Sequence, residues 1–373
     1  MSLFTYYIIP FFIILGVLIF FHELGHFLTA KFFGVKVLRF SLGFGRRLVG
    51  KTIGETEYRI SAVPLGGYVK MFGEDEDEES EEGEKETFSE DDLKRAFNRQ
   101  HPLKRIAIVA AGPIFNFLLA YLLFIGIFLA QGMQILAPEV GQVREGSPAA
   151  GAGLKEGDRI TAVEGEAVTS WEALKERVKD RAGQELRFSI SRDGETLQFA
   201  VTPEPSVTRN IFGEEVETAI IGIVASGRTE TVEVGALESF GMAARKTWDM
   251  IVLTLLSIVK LFQGSVSLDM IGGPLRIGQM TGEIAKVSFA YLVPFTAIIS
   301  IGLGVLNLLP IPILDGGVIV FNFLEMVLGK PMGVRKREIA QKVGLFLLVL
   351  LMVFVFYNDI MYLIKSILEQ GAQ

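Results

Sequence analysis

Four apolar stretches limit what this chain can fold into. Residues 4–28, 106–130, 288–314 and 343–363 each approach the roughly 20 apolar residues that carry a helix across a bilayer. A chain with four such stretches is expected to be a multi-pass α-helical membrane protein with soluble segments between its spans. The first stretch lacks a basic n-region and a small-residue cleavage site, so it reads as a span rather than a removable signal peptide. With no cysteine anywhere, disulfides, thiol catalysis and cysteine metal sites are excluded.

Charge supplies an orientation. The formal net charge of −7 arises in one segment: residues 74–92, EDEDEESEEGEKETFSEDD, hold 13 acids and one Lys, and the remainder has 35 basic against 30 acidic residues. That run reads as a solvated tether, and nothing in the charge pattern suggests a nucleic-acid partner. Three basic clusters flank the spans: Lys31 to Lys51 after the first, Lys94 to Arg105 before the second, and Lys330 to Lys342 before the fourth. Positive residues in short loops favour the cytoplasmic side. The N-terminus, the segment 131–287 and the C-terminus are then expected outside.

Between the spans the sequence changes character. Residues 35–73 alternate apolar and polar positions, are rich in Gly, and read as β-strands joined by tight turns. Residues 92–105, DLKRAFNRQHPLKR, read as an amphipathic helix leading into the second span, which makes 74–105 a tether plus a cytoplasmic helix. A compact soluble domain is expected over 135–205. In it SPAAGAG and SWEALKERVKDRAG form helices, and QELRFSISRDGETLQFAVTP forms a hairpin with an Asp-Gly turn. Residues 236–285 contain a long apolar helix interrupted by Arg245, Lys246, Asp249 and Lys260. Each charge at mid-membrane costs about 3 kcal/mol on insertion scales, so this region is expected to lie along the membrane surface.

The chemistry begins inside the first span. FHELGHFLTAKFFG (21–34) contains His-Glu-x-x-His in a segment where ionisable groups are expensive and mark function by default. On a helix His22 and His26 share one face, with Cβ atoms about 5–6 Å apart, which lets two imidazoles converge on one Zn²⁺. Glu23 points partly round the helix and is free to take a proton from a water activated by the metal.

A catalytic zinc needs a third protein ligand and an open position. Asp315 is the candidate, an isolated carboxylate in VLNLLPIPILDGG (305–317), where Pro310 and Pro312 break the helix and two Gly permit close approach. Broken helices within a membrane are tolerated where protein buries them or a cavity adjoins them. Depth agrees. With four spans the first and third both run inward, which brings Asp315 near the level of His22; a fifth span at 240–262 would move Asp315 and the cluster around Arg335 to the outer face. Asn307 is the other polar group in this stretch.

HELGH, AGPIFNF (111–117), GSPAAGAGLKEGDRI (146–160) and NLLPIPILDGG (307–317) together resemble the site-2 protease family of intramembrane zinc metalloproteases, in its bacterial branch of regulator of sigma-E protease-like enzymes. The resemblance covers nearly the whole chain. It implies zinc bound by His22, His26 and Asp315, a catalytic Glu23, and an Asn307 that holds the substrate backbone. It also implies a membrane re-entrant β segment around Gly43, Phe44 and Gly45 that pairs with an extended substrate. The domain at 135–205 would be a single PDZ domain where many relatives have two. Asn116 matches the Asn of the family's second-span motif. After DGG many relatives have His where this chain has Val318, and after GFG many have Pro where it has Arg46.

The expected protein therefore has four transmembrane helices (1–34, 106–130, 288–325 and 343–365), a re-entrant β segment and an inserted α+β PDZ domain. Its expected function is zinc-dependent regulated intramembrane proteolysis of single-pass membrane proteins, of the anti-sigma factor or remnant signal peptide type. The PDZ domain would take peptide C-termini or filter substrates by size. It would sit in the bacterial cytoplasmic (inner) membrane, with the active site towards the cytoplasm and the PDZ domain outside. A catalytically inactive, membrane-anchored PDZ adaptor is the alternative. A zinc transporter would need a polar path that spans two and four do not offer.

Overall fold

The computed structural model describes residues 4–74, 89–266, 272–330 and 332–371. Among them four helices are long and apolar enough to cross a membrane: Phe4–Phe32, Pro102–Gln131, Phe289–Asn307 and Val334–Lys365. The chain divides into two compact units. One comprises residues 1–125, 242–258 and 267–373, and the other residues 126–241 and 259–266.

The first unit is built on α1 (Ile9–Phe32), which continues a short π-helical turn at Phe4–Ile8 and carries Pro10 near its start, where the fixed φ of proline is already helical. A sheet follows, made of β1 (Val37–Ile53) and β2 (Thr56–Met71). Both strands bend, so the sheet has more rows than strands. Phe40 pairs with Val69 on one side and Tyr58 on the other, whereas 47–53 pairs only with 56–61. Residues 39–42 are thus central. The bend in β1 falls at Gly43 and Gly45, both with positive φ (88° and 82°), a region open to Gly without steric cost. The acidic run expected as a tether lies mostly at 75–88, outside the described residues.

The single amphipathic helix expected over 92–105 does not form. Residues Glu90–Lys94 make a short helix, α2, capped by the Ser89 hydroxyl. Ala96 is extended, Phe97–Arg99 form one 3₁₀ turn, and α3 (Pro102–Gln131) starts at the proline. Pro102 disfavours a helical conformation at the residue before it and suits the first turn of the next helix. The second span accordingly begins four residues earlier than residue 106.

The second unit holds β3 (Met133–Leu136), β4 (Val140–Val143), α4 (Pro148–Ala152), β5 (Arg159–Val163), β6 (Glu166–Ala167), α5 (Trp171–Val178), β7 (Leu186–Arg192) and β8 (Glu195–Val201). Ser147 and Ser170 cap the two helices through their hydroxyls. Strands β6-β5-β7-β8 form the main sheet, and Phe188, Ile160, Ile190 and Val140 are fully enclosed in its core. The unit does not stop at residue 205. A hairpin follows, β9 (Glu204–Arg209) with β10 (Glu215–Ile220). Then β11 (Ile223–Ala225) pairs with β4, and β12 (Thr229–Val232) pairs with β3. These late strands return to the first ones, a long-range pairing that local sequence does not announce.

Helix α6 (Ala236–Phe262) has 27 residues and is absent from the candidate spans, as Arg245, Lys246, Asp249 and Lys260 within it imply. Helix α7 (Pro274–Val287) starts beneath a carboxylate from the last span. Asp359, almost wholly buried, accepts the backbone N–H groups of Gly273 (2.8 Å), Leu275 (3.0 Å) and Arg276 (3.2 Å), satisfying donors that a helix start leaves open. The third apolar stretch is broken as its prolines require. Helix α8 (Leu292–Asn307) ends at Asn307, residues 308–314 turn, and α9 (Asp315–Leu328) begins at Asp315. Helix α10 (Val334–Gly371) is longer than the 343–365 expected for it.

Candidate metal centre

Two elements bring the proposed ligands together. His22 and His26 lie one turn apart on α1, and Asp315 opens α9. Their ligand atoms all fall within 4.8 Å of one another. His22 Nε2 is 3.3 Å from His26 Nε2 and 3.2 Å from Asp315 Oδ2, and His26 Nε2 is 3.6 Å from Asp315 Oδ1.

These distances suit zinc. Ligand atoms about 2.0–2.1 Å from a tetrahedral Zn²⁺ stand about 3.3 Å apart; the two imidazole nitrogens have that separation, and each has a different oxygen of the Asp315 carboxylate close to it. Asp315 Oδ2 supports the fit. It is buried and lacks a hydrogen-bond partner despite its nearness to His22, because the geometry is wrong for a hydrogen bond. An orphaned buried carboxylate oxygen is costly unless a cation meets it. Two neutral imidazoles and one carboxylate leave a fourth position open, the donor set of a catalytic rather than a structural site.

Helix α3 holds both histidines in the required orientation. Gly25 and Gly112 make the crossing possible: a Cβ on Gly25 would stand 2.2 Å from the Ala111 carbonyl oxygen, and one on Gly112 would stand 2.3 Å from His26 Nε2. The helices therefore touch backbone to backbone at the site. His26 Nδ1 donates to the Ile108 carbonyl at 2.9 Å, which commits Nε2 to the metal. His22 Nδ1 lies 3.1 Å from the Asn116 side-chain amide, which is fully buried, and Asn116 Oδ1 has no partner. With Nε2 facing the cluster, Nδ1 carries the ring proton and needs an acceptor. A half-turn of the amide presents Oδ1 to it and satisfies both groups. Ser300 of α8 donates to the Asn116 backbone carbonyl at 2.7 Å, tying the third span to the same point.

The remaining expected residues fall in different places. Glu23 lies against β2, where a Cβ on Gly67 would stand 3.0 Å from Glu23 Cγ and the Val69 N–H faces the carboxylate. Asn307 Nδ2 is 3.5 Å from His22 Nε2, at the rim of the cluster. Gly43, Phe44 and Gly45 form the bend of the sheet, with Phe44 stacked on Tyr68 (centroids 6.1 Å apart). The part of the sheet that touches Glu23 is Gly67 with Val69, which the sequence reading did not single out. Ile108, Gly112 and Ser300 were missed as well, because a carbonyl, a missing side chain and a lone hydroxyl carry no motif.

Apolar helices carrying an HExxH pair and a convergent aspartate define the class: a multi-pass membrane zinc metalloprotease. The chain belongs to peptidase family M50, which it matches over residues 10–351. It is 39% identical over 365 residues to a protein of Agrobacterium fabrum provisionally named a zinc metalloprotease, covering 96% of this chain and 97% of the other. A Campylobacter jejuni protein with the same kind of name is 39% identical over 348 residues, covering 93% and 91%. The regulator of sigma-W protease of Bacillus subtilis is 33% identical over 421 aligned residues, covering 95% and 98%. Among solved structures, the PDZ domain of an SdrC-like protein from Listeria monocytogenes aligns with 24% of this chain and 87% of its own length, at 22% identity and a TM-score of 0.20.

Proposed function

We propose that this protein is an endopeptidase that cuts single-pass membrane proteins within the bilayer, as the second step of regulated intramembrane proteolysis. The observation that carries the reading is the convergence of His22, His26 and Asp315 on helices of membrane-spanning character. Zinc, when bound there, supplies Lewis acidity to the scissile carbonyl and to the attacking water. Glu23 takes the proton from that water and returns it to the leaving amine. Asn307, beside the cluster, holds the substrate backbone.

A helical substrate hides its carbonyls in its own hydrogen bonds and must unwind to be cut. The unwound segment would add to the β1–β2 sheet as an extra strand. Gly43, Phe44 and Gly45 shape that sheet as a re-entrant segment, and its Gly67–Val69 stretch delivers the substrate to Glu23. The second unit acts as a single PDZ domain that takes newly exposed peptide C-termini or filters by size. The similarity to a regulator of sigma-W protease favours anti-sigma factors, with remnant signal peptides as the companion class. The enzyme would reside in a bacterial cytoplasmic membrane with its active site towards the cytoplasm.

Glu23→Gln is expected to retain zinc and lose cleavage of a model transmembrane substrate by about 10²–10⁴-fold, the usual weight of a general base. Asp315→Ala is expected to lose zinc. Equal cleavage by Glu23→Gln and wild type would overturn the reading and leave the inactive adaptor in its place.

A further inference from the structure

Arg105 and Glu325 form an ion pair that the chemistry described so far does not use. Arg105 lies in the first turn of α3 with its side chain 9% exposed, Glu325 lies in the last turn of α9, and Arg105 Nη2 meets Glu325 Oε1 at 2.5 Å across 220 residues of sequence. The pair is not well satisfied, since Arg105 Nε is buried without a partner. Removing two charges from water costs more than a single hydrogen-bonded contact reliably returns, so such a pair is weak evidence of stabilisation. Its position suggests another role.

Helix α9 begins with the metal ligand Asp315, and its only chain connection to α8 is the turn 308–314 with Pro310 and Pro312. That turn interrupts the backbone hydrogen bonding that would set the axis of α9 from α8. The helix must be held by its own side chains. Asp315, Val318, Asn322 and Glu325 recur at helical spacing along one stripe. Val318 packs on the cluster that contains Ile108 and Val109, and Asn322 is buried. The opposing stripe on α3 is Arg105, Ile108, Gly112 and Asn116. Three of its members already meet the zinc histidines. Arg105 is the fourth, and it meets the far end of the aspartate helix.

We infer that Arg105 and Glu325 are positioning residues that clamp the distal end of α9 to α3 and thereby hold Asp315 in register with His22 and His26. Ten residues separate Asp315 from Glu325, about 15 Å of helix. A stiff helix anchored at that distance passes its roll and slide directly to its first turn. A slide of one residue is about 1.5 Å, whereas a working site tolerates about 0.5 Å. The ligand and the ion pair thus fix the two ends of one rigid element. The same α3 stripe aligns all three metal ligands, two by direct contact and the third through this clamp.

The inference rests on the zinc reading above, and one experiment separates the two. Zinc affinity is measured by chelator competition on purified full-length protein, alongside the melting temperature of the zinc-free form and substrate cleavage. Wild-type protein that binds no zinc would sink the zinc reading itself. If wild type binds, Arg105→Met with Glu325→Leu should leave the zinc-free melting temperature unchanged or raised, while zinc affinity falls about 10- to 100-fold, as for other lost supports of metal ligands. The exchanged pair, Arg105→Glu with Glu325→Arg, should recover most of that loss. Wild-type zinc affinity in the apolar pair would overturn the clamp, as would a melting temperature that falls while affinity holds. Should the apolar pair fail to accumulate in membranes, Glu325→Gln alone, which keeps size and an acceptor oxygen, must still weaken zinc binding for the clamp to stand.

Discussion

His22 cannot orient itself. Its ring presents Nε2 to the cluster only if something accepts the Nδ1 proton, and Asn116 is the side chain within reach. Asn116→Leu should therefore lower zinc affinity about 10- to 100-fold, whereas Asn116→Asp, which offers a carboxylate oxygen at the same place, should stay near wild type. Chelator competition on the purified variants measures both, and equal affinity for Leu and Asp would remove Asn116 from the site. At this scale the sequence pointed to His22, His26 and Asp315, which the structure brings together, because each is an ionisable group in apolar surroundings, where any such residue demands a reason. The task of Asn116 was not legible. It depends on two helices approaching at Gly25 and Gly112, and a glycine in an apolar run does not say which helix it meets.

At the scale of elements, the least legible feature is how the β1–β2 sheet is fastened. The loop joining its strands carries Glu55, which accepts from Arg95 Nη1 (2.8 Å) and Nη2 (2.6 Å) and from Lys31 Nζ (2.6 Å). One carboxylate thus joins the end of α1, the sheet and the residue after α2. No periodicity points to such a contact, because its partners lie 24 and 40 residues away. The hydrogen bonds from Arg95 chiefly, against the opposing effect of burial and with help from Lys31, hold the Glu55 carboxyl down at about 2, from an ordinary 4.5. The sign follows from linkage. The native state binds its proton less readily than the unfolded chain, so the stabilisation is fully present above about pH 4.5 and fades as the pH falls towards 2. Glu55→Gln should lower stability in detergent at pH 7 by on the order of 1 kcal/mol once solvent screening is allowed for, read as a drop in melting temperature. The gap from wild type should narrow below pH 4.5, and a gap that stays constant down to pH 2.5 would exclude this ion cluster as its source. The break at Ala96–Pro102 belongs to the same lesson. The amphipathic pattern over 92–105 is real, but the helix is interrupted at Ala96 and again before Pro102, and only the second break has a local signal in the proline.

At the scale of the whole molecule, the apolar helices long enough to span were the most legible property, since length and apolarity alone specify them; among the described residues there are four. Which side each loop occupies is a separate matter, and α6 decides it. If α6 lies on the surface, the first and third spans run in the same direction and their ligands meet at one depth. If it crosses, everything after it inverts, and the cluster Arg335, Lys336 and Arg337 is exported against the tendency of positive residues to stay inside. The convergence of Asp315 with His22 and His26 favours the first arrangement, because ligands entering from opposite faces would be separated by much of the roughly 30 Å hydrocarbon core. The absence of cysteine makes a direct test clean, since each introduced thiol is the only one in the chain. Asp193→Cys, at the turn between β7 and β8, should react with a membrane-impermeant maleimide in intact spheroplasts. Arg99→Cys and Lys336→Cys should react only after permeabilisation. Labelling of Lys336→Cys in intact spheroplasts would mean that α6 crosses the membrane, and a cytoplasm-facing metal site built from α1 and α9 would then be untenable.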